Sequence, residues 1–308
     1  MDKVQAVVVT HNRKETLIEC MDAVLAQNVP IERLILVDND STDGTKSFLR
    51  EKGYFDRPEI IYIRLSQNVG GAGGFYEGMK IARKAQPDWV WLMDDDVIPT
   101  ETCLEELLYA SKIIKGKISF LSSSIRGLNN EAMNVPKIFK DQFTKYTDWY
   151  QYLDHGVVQV VKATFASILV NIQAINQCGL PWARFYIWGD DSEYTQRLVR
   201  DYGPAYLVGK SKAIHERASS EELSIVKEQN VNRIPLYFYY YRNNFIVFRE
   251  YEDVFYQFLC FGKWGWDLLN VILKGKYKAK KIGVMLKALF SFIFKTYNRT
   301  SFKNRELT

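Results

Sequence analysis

The sequence predicts an α/β fold in which a mostly parallel sheet is covered by helices on both faces. Short apolar segments alternate with segments whose apolar residues recur at helical spacing, and the short segments are almost continuously hydrophobic, as strands buried on both faces are. Polar residues follow directly after these strand segments, where parallel sheets bind ligands. The length of 308 residues also allows a second, smaller unit.

Four strand segments and three helices are predicted in the first third of the chain. The strand segments are VQAVVV, RLILVD, IIYIRL and VWLM. Apolar residues at helical spacing predict a first helix over residues 15–27. A second helix is predicted over residues 41–50 with Ser41 as its N-cap, and a third over residues 74–84. Because the strands are expected to be parallel, their polar carboxyl ends should meet at one edge.

The middle of the chain is predicted to add an insertion, two strands and a helix. Residues 125–160 lack clear periodicity, so we expect an insertion beside the site. A strand pair is predicted around residues 157–161 and 167–170. A helix is predicted from Asp190 to about residue 202, and its first turn is rich in acids, which the helix dipole favours.

The C-terminal part of the chain differs in composition from the rest. From Leu236 onward it holds 13 Lys or Arg and 5 Asp or Glu, and its aromatic residues fall on segments that predict helices. We expect one domain over residues 1–220 and a helical region over residues 221–308. Three interpretations of this region stay open: a packed subdomain with solvated lysines, a surface that lies on anionic lipid headgroups, and an interface of a homo-oligomer.

Cysteine usage and the amino terminus favour a cytoplasmic protein. The four cysteines show no CxxC spacing, which argues against a zinc knuckle or a disulfide framework. The first strand begins at once, with no basic and apolar leader before it, so export is not expected. No run of about 18 uncharged apolar residues predicts a spanning helix.

Three adjacent acids follow the fourth strand segment. Carboxylates two residues apart can face the same way, so Asp94 and Asp96 are candidate ligands of one Mg²⁺ or Mn²⁺ ion, while Asp95 points towards a ribose or sugar hydroxyl. Acid triplets also occur in phosphatases, nucleases and capping turns. Such phosphatases and nucleases place a nucleophilic acid on the first strand, whereas the first strand here ends in THNR.

The segment QNVGGAGGFYEG carries five glycines after the third strand. Glycine lets the backbone approach a ligand closely, and a helix that begins near Gly74 directs amide N–H groups towards an anion or a sugar. Gly71 and Gly74 fit the dinucleotide fingerprint poorly, and the segment does not follow the first strand. We therefore do not expect a nicotinamide cofactor.

Six patterns occur in a fixed order along the chain: TxNR, VDNxSTDGT, NxGGAGGF, MDDD, WxDDxEYxxR and a lone His followed by Glu. In this order and spacing the chain resembles the inverting family 2 glycosyltransferases of the GT-A fold, over roughly residues 4–217. The GGAGGF and WGDDSEY patterns are most similar to those of bacterial galactofuranosyltransferases. The resemblance implies a Rossmann-like GT-A domain, to which the C-terminal helical region is added.

The resemblance implies roles for single residues. Asp94, Asp96 and His215 match the metal ligands, with Mn²⁺ or Mg²⁺ as the cofactor, and Asp191 matches the catalytic base. The residues that match donor-binding positions are Thr10, Arg13, Asp38, Asn68, Gly70, Gly71 and Asp95. The residues implied to contact the sugar or the acceptor are Trp188, Asp190 and Glu193.

The implied reaction moves galactofuranose from UDP-galactofuranose to a lipid-linked or polymeric glycan at the inner face of the cell membrane. Rhamnosyl transfer from a dTDP donor and hexopyranosyl transfer stay open, because a few pocket side chains decide the sugar. His11 stands where an aromatic residue is more usual, which leaves the acceptor open. A non-catalytic binding protein would lack the base or a metal ligand, and both are present. No nucleic-acid-binding module is recognised.

Overall fold

The computed structural model describes residues 2–139, 148–216 and 223–296. Within them the chain forms one mixed sheet between two layers of helices, followed by three further helices. The strands are β1 Val4–Thr10, β2 Arg33–Asp38, β3 Ile60–Arg64, β4 Trp89–Asp94, β5 Val97–Pro99, β6 Phe120–Arg126, β7 Ala132–Met133, β8 Lys137–Ile138, β9 Val157–Lys162, β10 Ile168–Asn171 and β11 Ala205–His215. The helices are α1 Lys14–Leu25, α2 Thr45–Glu51, α3 Gly70–Ala85, α4 Cys103–Ile113, α5 Ile172–Cys178, α6 Asp190–Asp201, α7 Tyr237–Tyr251, α8 Val254–Lys274 and α9 Lys278–Ile293.

The first four strands form the parallel half of the sheet, in the order β3-β2-β1-β4. Their register aligns the carboxyl ends: Thr10 lies opposite Asp38, and Val9 lies opposite Asp94. The predicted meeting of polar strand ends at one edge is therefore confirmed for these strands.

Beyond β4 the sheet is mixed, which corrects the prediction of a mostly parallel sheet. β10 runs antiparallel to both β4 and β6, β6 and β11 are parallel, and β9 is antiparallel to β11 and β8. The predicted strand pair is also wrong as a pair, since β9 and β10 are strands but not neighbours. A local apolar pattern identifies a strand, whereas its partner depends on contacts distant in sequence.

Helices cover both faces of the sheet, as predicted for an α/β fold. Alternate residues of β1 point to opposite sides, so Ala6 and Val8 join one core and Val7 and Val9 join the other. α1 and α4 pack on the first side, and α3, α5 and α6 pack on the second. The strand residues of β1 are all buried, which explains why the sequence lacks polar alternation there.

α2 begins four residues later than predicted, at Thr45, because Asp43 and not Ser41 supports its first turn. The Oδ1 atom of Asp43 accepts a hydrogen bond from the Thr45 backbone N–H at 3.1 Å, and Gly44 takes a left-handed conformation with φ 87°. The Ser41 hydroxyl instead accepts a hydrogen bond from the Asn12 backbone N–H at 3.0 Å.

α3 begins at Gly70, one turn before the predicted start, and most glycines of this segment serve packing. A Cβ atom at Gly74 would lie 2.4 Å from Val9, and one at Gly78 would lie 2.3 Å from Val7. These glycines let the helix approach β1 closely, so the expectation that the segment opens the backbone to a ligand does not hold for them. Gly71 alone among the glycines of α3 would place a Cβ atom in open space.

The segment predicted as an insertion contains β7, β8 and two short 3-10 turns, and its residues 140–147 lie outside the described residues. The C-terminal region forms α7, α8 and α9, which pack around their own hydrophobic cluster. The predicted boundary near residue 220 also lies outside the described residues. In the part of the chain that the structure describes, we find no helix whose length and apolarity would let it span a membrane.

Candidate active site

The acid triplet after β4 meets a guanidinium group and a hydroxyl from the end of β1. Thr10 is buried, and its hydroxyl donates a hydrogen bond to Asp95 Oδ2 at 2.7 Å. Arg13 Nη1 lies 3.2 Å from Asp95 Oδ1 and also contacts Asp96. Arg13 therefore supplies positive charge among the acids in this structure, and Thr10 orients Asp95. The predicted contact of Thr10 with a donor stays a prediction.

The environment shifts the pKa values of all three acids. Burial raises the pKa of Asp94 well above its ordinary value, and the negative charges of Asp96, Asp95 and Asp190 raise it further. Burial also raises the pKa of Asp95 to about 6, although Arg13 opposes this shift. The influence of Asp190 on Asp94 indicates that the start of α6 lies near the acids at the end of β4.

Asp96 behaves differently, because His215 lies beside it. Burial acts to raise the pKa of Asp96, but the neighbouring His215 and Arg13 outweigh burial and hold this pKa below its ordinary value. The Nε2 atom of His215, the last residue of β11, lies 3.1 Å from Asp96 Oδ1. The two residues are buried, so the pair is shielded from water.

Asn134, which sequence reasoning missed, fixes the orientation of the His215 ring. Asn134 Nδ2 donates a hydrogen bond to the Thr164 hydroxyl at 3.0 Å, which directs the amide oxygen towards His215. That oxygen lies 2.8 Å from His215 Nδ1. The Nδ1–H group therefore donates to Asn134, and this contact holds the ring so that Nε2 faces Asp96.

The Asp96–His215 pair fits a divalent cation. Asp96 Oδ1 is a buried oxygen that has no well-aligned hydrogen-bond donor, and the imidazole and carboxylate that face each other are both ligand types of Mn²⁺. Among the described residues no three His, Cys, Asp or Glu side chains already form a metal-binding cluster. The structure thus brings two of the three predicted ligands together, and the role of Asp94 stays a prediction.

Two residues predicted to bind the donor shape the loops at the strand ends in this structure. Asp38 is fully buried, and its carboxylate accepts hydrogen bonds from the Ser41 N–H at 2.8 Å and from the Tyr62 hydroxyl at 2.6 Å. Asn68 Oδ1 accepts a hydrogen bond from the Gly70 N–H at 2.8 Å, which supports the first turn of α3. Their contact with a donor stays a prediction.

Asn39 is a further loop residue that the sequence analysis did not single out. Its amide oxygen accepts a hydrogen bond from the Val69 N–H at 2.9 Å, and its Nδ2 donates to Asn68 Oδ1 at 3.1 Å and to the Gly70 carbonyl at 3.0 Å. Asn39 therefore ties the end of β2 to the start of α3. Asn39 is the third residue of the VDNxSTDGT pattern, and this position is the sequence signal that could have identified it.

Two acids begin α6, as the sequence predicts. Burial and the charge of Asp191 raise the pKa of Asp190 to about 8. Burial also raises the pKa of Asp191, against hydrogen bonds from the Ser192 backbone and the positive charge of Lys162. The Asp191 carboxylate accepts a hydrogen bond from the Ser192 N–H at 2.6 Å and is partly exposed, so it can reach a ligand.

Glu193, predicted to contact sugar hydroxyls, has its carboxylate bound within the protein. Arg197 donates to both of its oxygens at 2.9 Å, and the Tyr251 hydroxyl donates to Oε1 at 2.9 Å. Glu193 is fully buried, and Tyr251 belongs to α7. In this structure Glu193 therefore connects α6 to the C-terminal helices and does not present a free oxygen to a ligand.

Trp188 precedes α6 and packs against the C-terminal helices. Its ring centroid lies 5.4 Å from that of Tyr237 and 6.2 Å from that of Tyr240, which belong to α7. The indole is half-buried, so one part of it remains open to a ligand. The predicted sugar-binding role of Trp188 stays a prediction.

The fold and site together define the GT-A class of nucleotide-sugar-dependent transferases. The sheet has a parallel half followed by a mixed half, and it brings His215 to the acid triplet, with the acidic start of α6 nearby. A family model, glycosyl transferase family 2, matches residues 5–171, which is more than half of the chain. The chain therefore belongs to glycosyl transferase family 2, and the family predicted from the sequence is confirmed.

Curated relatives refine this similarity. The galactofuranosyltransferase GlfT1 of Mycolicibacterium smegmatis is 28% identical over 199 residues, which cover 63% of this chain and 65% of that protein. The galactofuranosyltransferase GlfT1 of Mycobacterium tuberculosis is 29% identical over 225 residues, which cover 71% of this chain and 72% of that protein. The match to the first of them leaves about a third of its length unaligned.

Solved structures show the same fold at low sequence identity. S. aureus TarS, residues 1–349, has a TM-score of 0.54 at 15% identity and covers 99% of this chain and 76% of that chain. GalNAc-T7 with UDP, GalNAc and Mn²⁺ has a TM-score of 0.55 at 14% identity and covers 70% of this chain and 44% of that chain. These similarities confirm the predicted GT-A fold.

Proposed function

We propose that this protein is an inverting glycosyltransferase that moves galactofuranose from UDP-galactofuranose to a lipid-linked or polymeric glycan. One observation carries the proposal of a transferase site: Asp96 and His215, from the two halves of the sheet, meet at 3.1 Å in a family 2 domain. The similarity to two galactofuranosyltransferases supports the choice of sugar.

In this mechanism Asp191 accepts the proton of the attacking acceptor hydroxyl. Displacement at the anomeric carbon needs this proton to leave as the new bond forms, and a carboxylate within hydrogen-bond reach can take it. The raised pKa of Asp191 makes its carboxylate a stronger base than that of an exposed aspartate. Lys162 and the Ser192 N–H act in the opposite direction and favour the ionised form of Asp191.

The strand-end residues are proposed to hold the donor diphosphate. Asp96 and His215, together with Asp94, would hold Mn²⁺ or Mg²⁺, which when bound stabilises the negative charge that gathers on the leaving diphosphate. Arg13 is half exposed beside Asp95 and Asp96, the acids at the proposed metal site. Arg13 is thus placed to bind a phosphate oxygen.

A donor panel tests the proposed sugar. UDP-galactofuranose, UDP-galactopyranose, UDP-glucose and dTDP-rhamnose are offered with Mn²⁺, and EDTA serves as the control. Turnover of UDP-galactofuranose that EDTA abolishes is the expected result. Turnover of dTDP-rhamnose or a hexopyranose donor would keep the transferase but overturn the sugar. Binding of all four donors without turnover would favour a non-catalytic nucleotide-sugar-binding protein.

We also propose that α8 lies on the anionic inner face of the cell membrane. Large apolar side chains recur at helical spacing along it and are mostly more than half exposed, with Phe255 at 65%, Phe258 at 72%, Trp266 at 66% and Leu273 at 63%. These large apolar side chains are left exposed together along one helix. They form an apolar face that suits the interface of a bilayer.

The charge of the neighbouring segment favours a lipid bilayer with anionic headgroups over a second copy of the chain. Lys274, Lys276 and Lys278 are exposed where α8 meets α9. Such lysines attract an anionic surface, at about 1 kcal/mol each near the membrane, whereas they would repel their counterparts across a symmetric dimer.

Vesicle flotation tests this membrane surface. The double variant Phe258→Glu with Trp266→Glu is compared with Tyr109→Glu, which changes an exposed aromatic residue on α4. Wild-type protein and the Tyr109 variant are expected to float with phosphatidylglycerol vesicles and much less with phosphatidylcholine vesicles, and the double variant is expected to stay in solution. Equal flotation of the double variant, or a stable dimer that it dissociates, would overturn the membrane assignment.

A further inference from the structure

One side chain from the C-terminal helices makes three hydrogen bonds to the loop before α6. Asn243 of α7 is fully buried, and its Nδ2 donates hydrogen bonds to three carbonyl oxygens of this loop: Phe185 at 2.9 Å, Ile187 at 3.1 Å and Trp188 at 2.8 Å. Because one amide group serves three acceptors, its bonds converge and fix the path of residues 185–188.

The same loop has an unusual backbone. Tyr186 has φ 63°, Trp188 has φ 61° and Gly189 has φ 92°, so three of four consecutive residues have a positive φ. Side chains other than glycine rarely adopt this conformation, and it persists only where the surroundings impose it. The loop therefore depends on partners outside itself.

Those partners account for each carbonyl oxygen from residue 184 to residue 188. Arg242 Nη2 donates to the Arg184 carbonyl at 2.7 Å, and the Ala72 N–H of α3 donates to the Tyr186 carbonyl at 3.1 Å. The remaining three carbonyls of the loop are the acceptors of Asn243. Arg242 in turn donates to Asn243 Oδ1 at 3.0 Å and 2.8 Å, which directs the amide N–H groups at the loop.

We propose that Asn243 is a positioning residue for the reaction. The loop that it fixes leads directly into Asp190 and Asp191. Its hydrogen bonds therefore fix the position of the first turn of α6, which carries the proposed base. This inference rests on the proposed function of Asp191 as the base. It gives the C-terminal helices a part in catalysis, in addition to any contact with membrane.

Only an amide meets both requirements at this position. The oxygen must accept from Arg242 while the nitrogen donates to three carbonyls. Asn243→Asp keeps the size of the side chain and the oxygen that accepts from Arg242. Its second carboxylate oxygen replaces the amide nitrogen and repels the carbonyl oxygens of the loop. Asn243→Ala removes the donor without that repulsion and covers the case in which Asn243→Asp does not fold.

Steady-state kinetics and hydrogen exchange test the proposal on the full chain. Asn243→Asp and Asn243→Ala are compared with Asn244→Asp, which changes the adjacent, half-buried residue on the same helix. We expect the Asn243 variants to lower kcat by at least about 10-fold and up to about 10²-fold, the loss that a small misplacement of a reacting group causes. UDP binding, measured by calorimetry, is expected to change by less than about 2-fold.

Hydrogen exchange of the peptide that covers residues 184–191 gives a readout that does not depend on activity. Its amides are expected to exchange faster in both Asn243 variants, while peptides of β1 and β4 keep wild-type rates. If wild-type protein transfers no tested sugar, the proposed function fails, and exchange still tests the loop contact.

Either of two results would overturn the positioning role. One is unchanged kcat in a folded Asn243 variant. The other is a loss of kcat that is matched by an equal loss of UDP binding and of thermal stability, which would make the residue merely structural. Asn244→Asp is expected to keep wild-type kcat, and a similar loss there would also contradict the assignment.

Discussion

The Nε2 atom of His215 lies 3.1 Å from Oδ1 of Asp96, and this contact joins the end of β11 to the turn after β4. Asn134 holds the other ring nitrogen of His215 at 2.8 Å. The three residues come from three separate segments of the chain. A metal ion held by this proposed pair would depend on the partner that orients the imidazole as well as on the ligands.

Replacement of Asn134 by alanine is expected to weaken Mn²⁺ binding by about 10- to 100-fold, because the ring of His215 loses the acceptor that fixes its tautomer. Asn129→Ala, at an exposed position of the same segment, is the matched control and should bind Mn²⁺ as the wild type does. Calorimetry with Mn²⁺ in the presence of UDP measures both. Equal affinity of the Asn134 variant and the wild type would contradict this orienting role.

Much of this fold follows from local patterns, and much of the site does not. The alternation of apolar strands and helices predicts the parallel half-sheet and the edge where Thr10, Asp38 and Asp94 end their strands. The sequence does not predict Asn134 or Asn243, because each lies far along the chain from the residues that it contacts and no spacing rule connects them. The antiparallel place of β10 was missed for the same reason.

The glycine segment illustrates a pattern with two possible causes. Glycines were expected to open the backbone to a ligand, but Gly74 and Gly78 bring α3 against β1. Both causes produce the same residues, so only the structure separates packing glycines from Gly71, which faces open space.

Asp191→Asn is expected to lower kcat by about 10²- to 10⁴-fold, because an amide cannot accept the proton of the acceptor hydroxyl. UDP binding should remain close to that of the wild type, since the substitution preserves shape. Asp201→Asn, at the other end of α6, is the control and should leave kcat unchanged. Transfer at the wild-type rate by the Asp191 variant would rule out the assigned base.

Gly70 and Gly71 are adjacent but should respond in opposite ways to alanine. A Cβ atom at Gly70 would lie 2.0 Å from the Tyr186 carbonyl oxygen, and its φ of 74° is left-handed, so Gly70→Ala should cost about 1–3 kcal/mol in free energy of unfolding. The Cβ atom of Gly71→Ala would lie more than 4 Å from the atoms around it, so this variant should keep wild-type stability. Chemical denaturation measures both.

The kinetics of the Gly71 variant test its predicted place beside the donor. If Gly71 faces the donor, alanine there should raise the donor KM without a loss of stability. An unchanged donor KM would remove Gly71 from the donor site, and equal stability of the two alanine variants would contradict the close contact of Gly70 with Tyr186.

Glu193→Gln is expected to destabilise the protein by about 3–5 kcal/mol, because Arg197 would stay buried without its counter-charge. Asp201→Asn breaks the exposed Arg200–Asp201 pair and should cost at most about 1 kcal/mol. Denaturant unfolding compares the two variants. A stable Glu193 variant with a raised acceptor KM would instead support the role in sugar binding that the sequence implied.

The pH dependence of stability should depend on Asp190. Its pKa in the folded protein is raised to about 8, from an ordinary value of 3.8, so the folded carboxyl keeps its proton at pH values where the unfolded chain has lost it. The unfolded state therefore binds fewer protons between about pH 4 and pH 8, and the free energy of unfolding falls as pH rises through this window. Burial of Asp191 acts with the same sign.

Asp190→Asn removes the contribution of this carboxyl, so the variant should gain stability relative to the wild type as pH rises from about 5 to about 8. Urea denaturation at several pH values measures the difference. Asp201→Asn is the control: its pKa is lowered by Arg200, so it should show no such gain across this window. The contrary outcome is a difference in free energy of unfolding between the Asp190 variant and the wild type that is the same at about pH 5 and at about pH 8. It would mean that Asp190 is ionised in the folded protein throughout, and that a nearby positive charge compensates its burial.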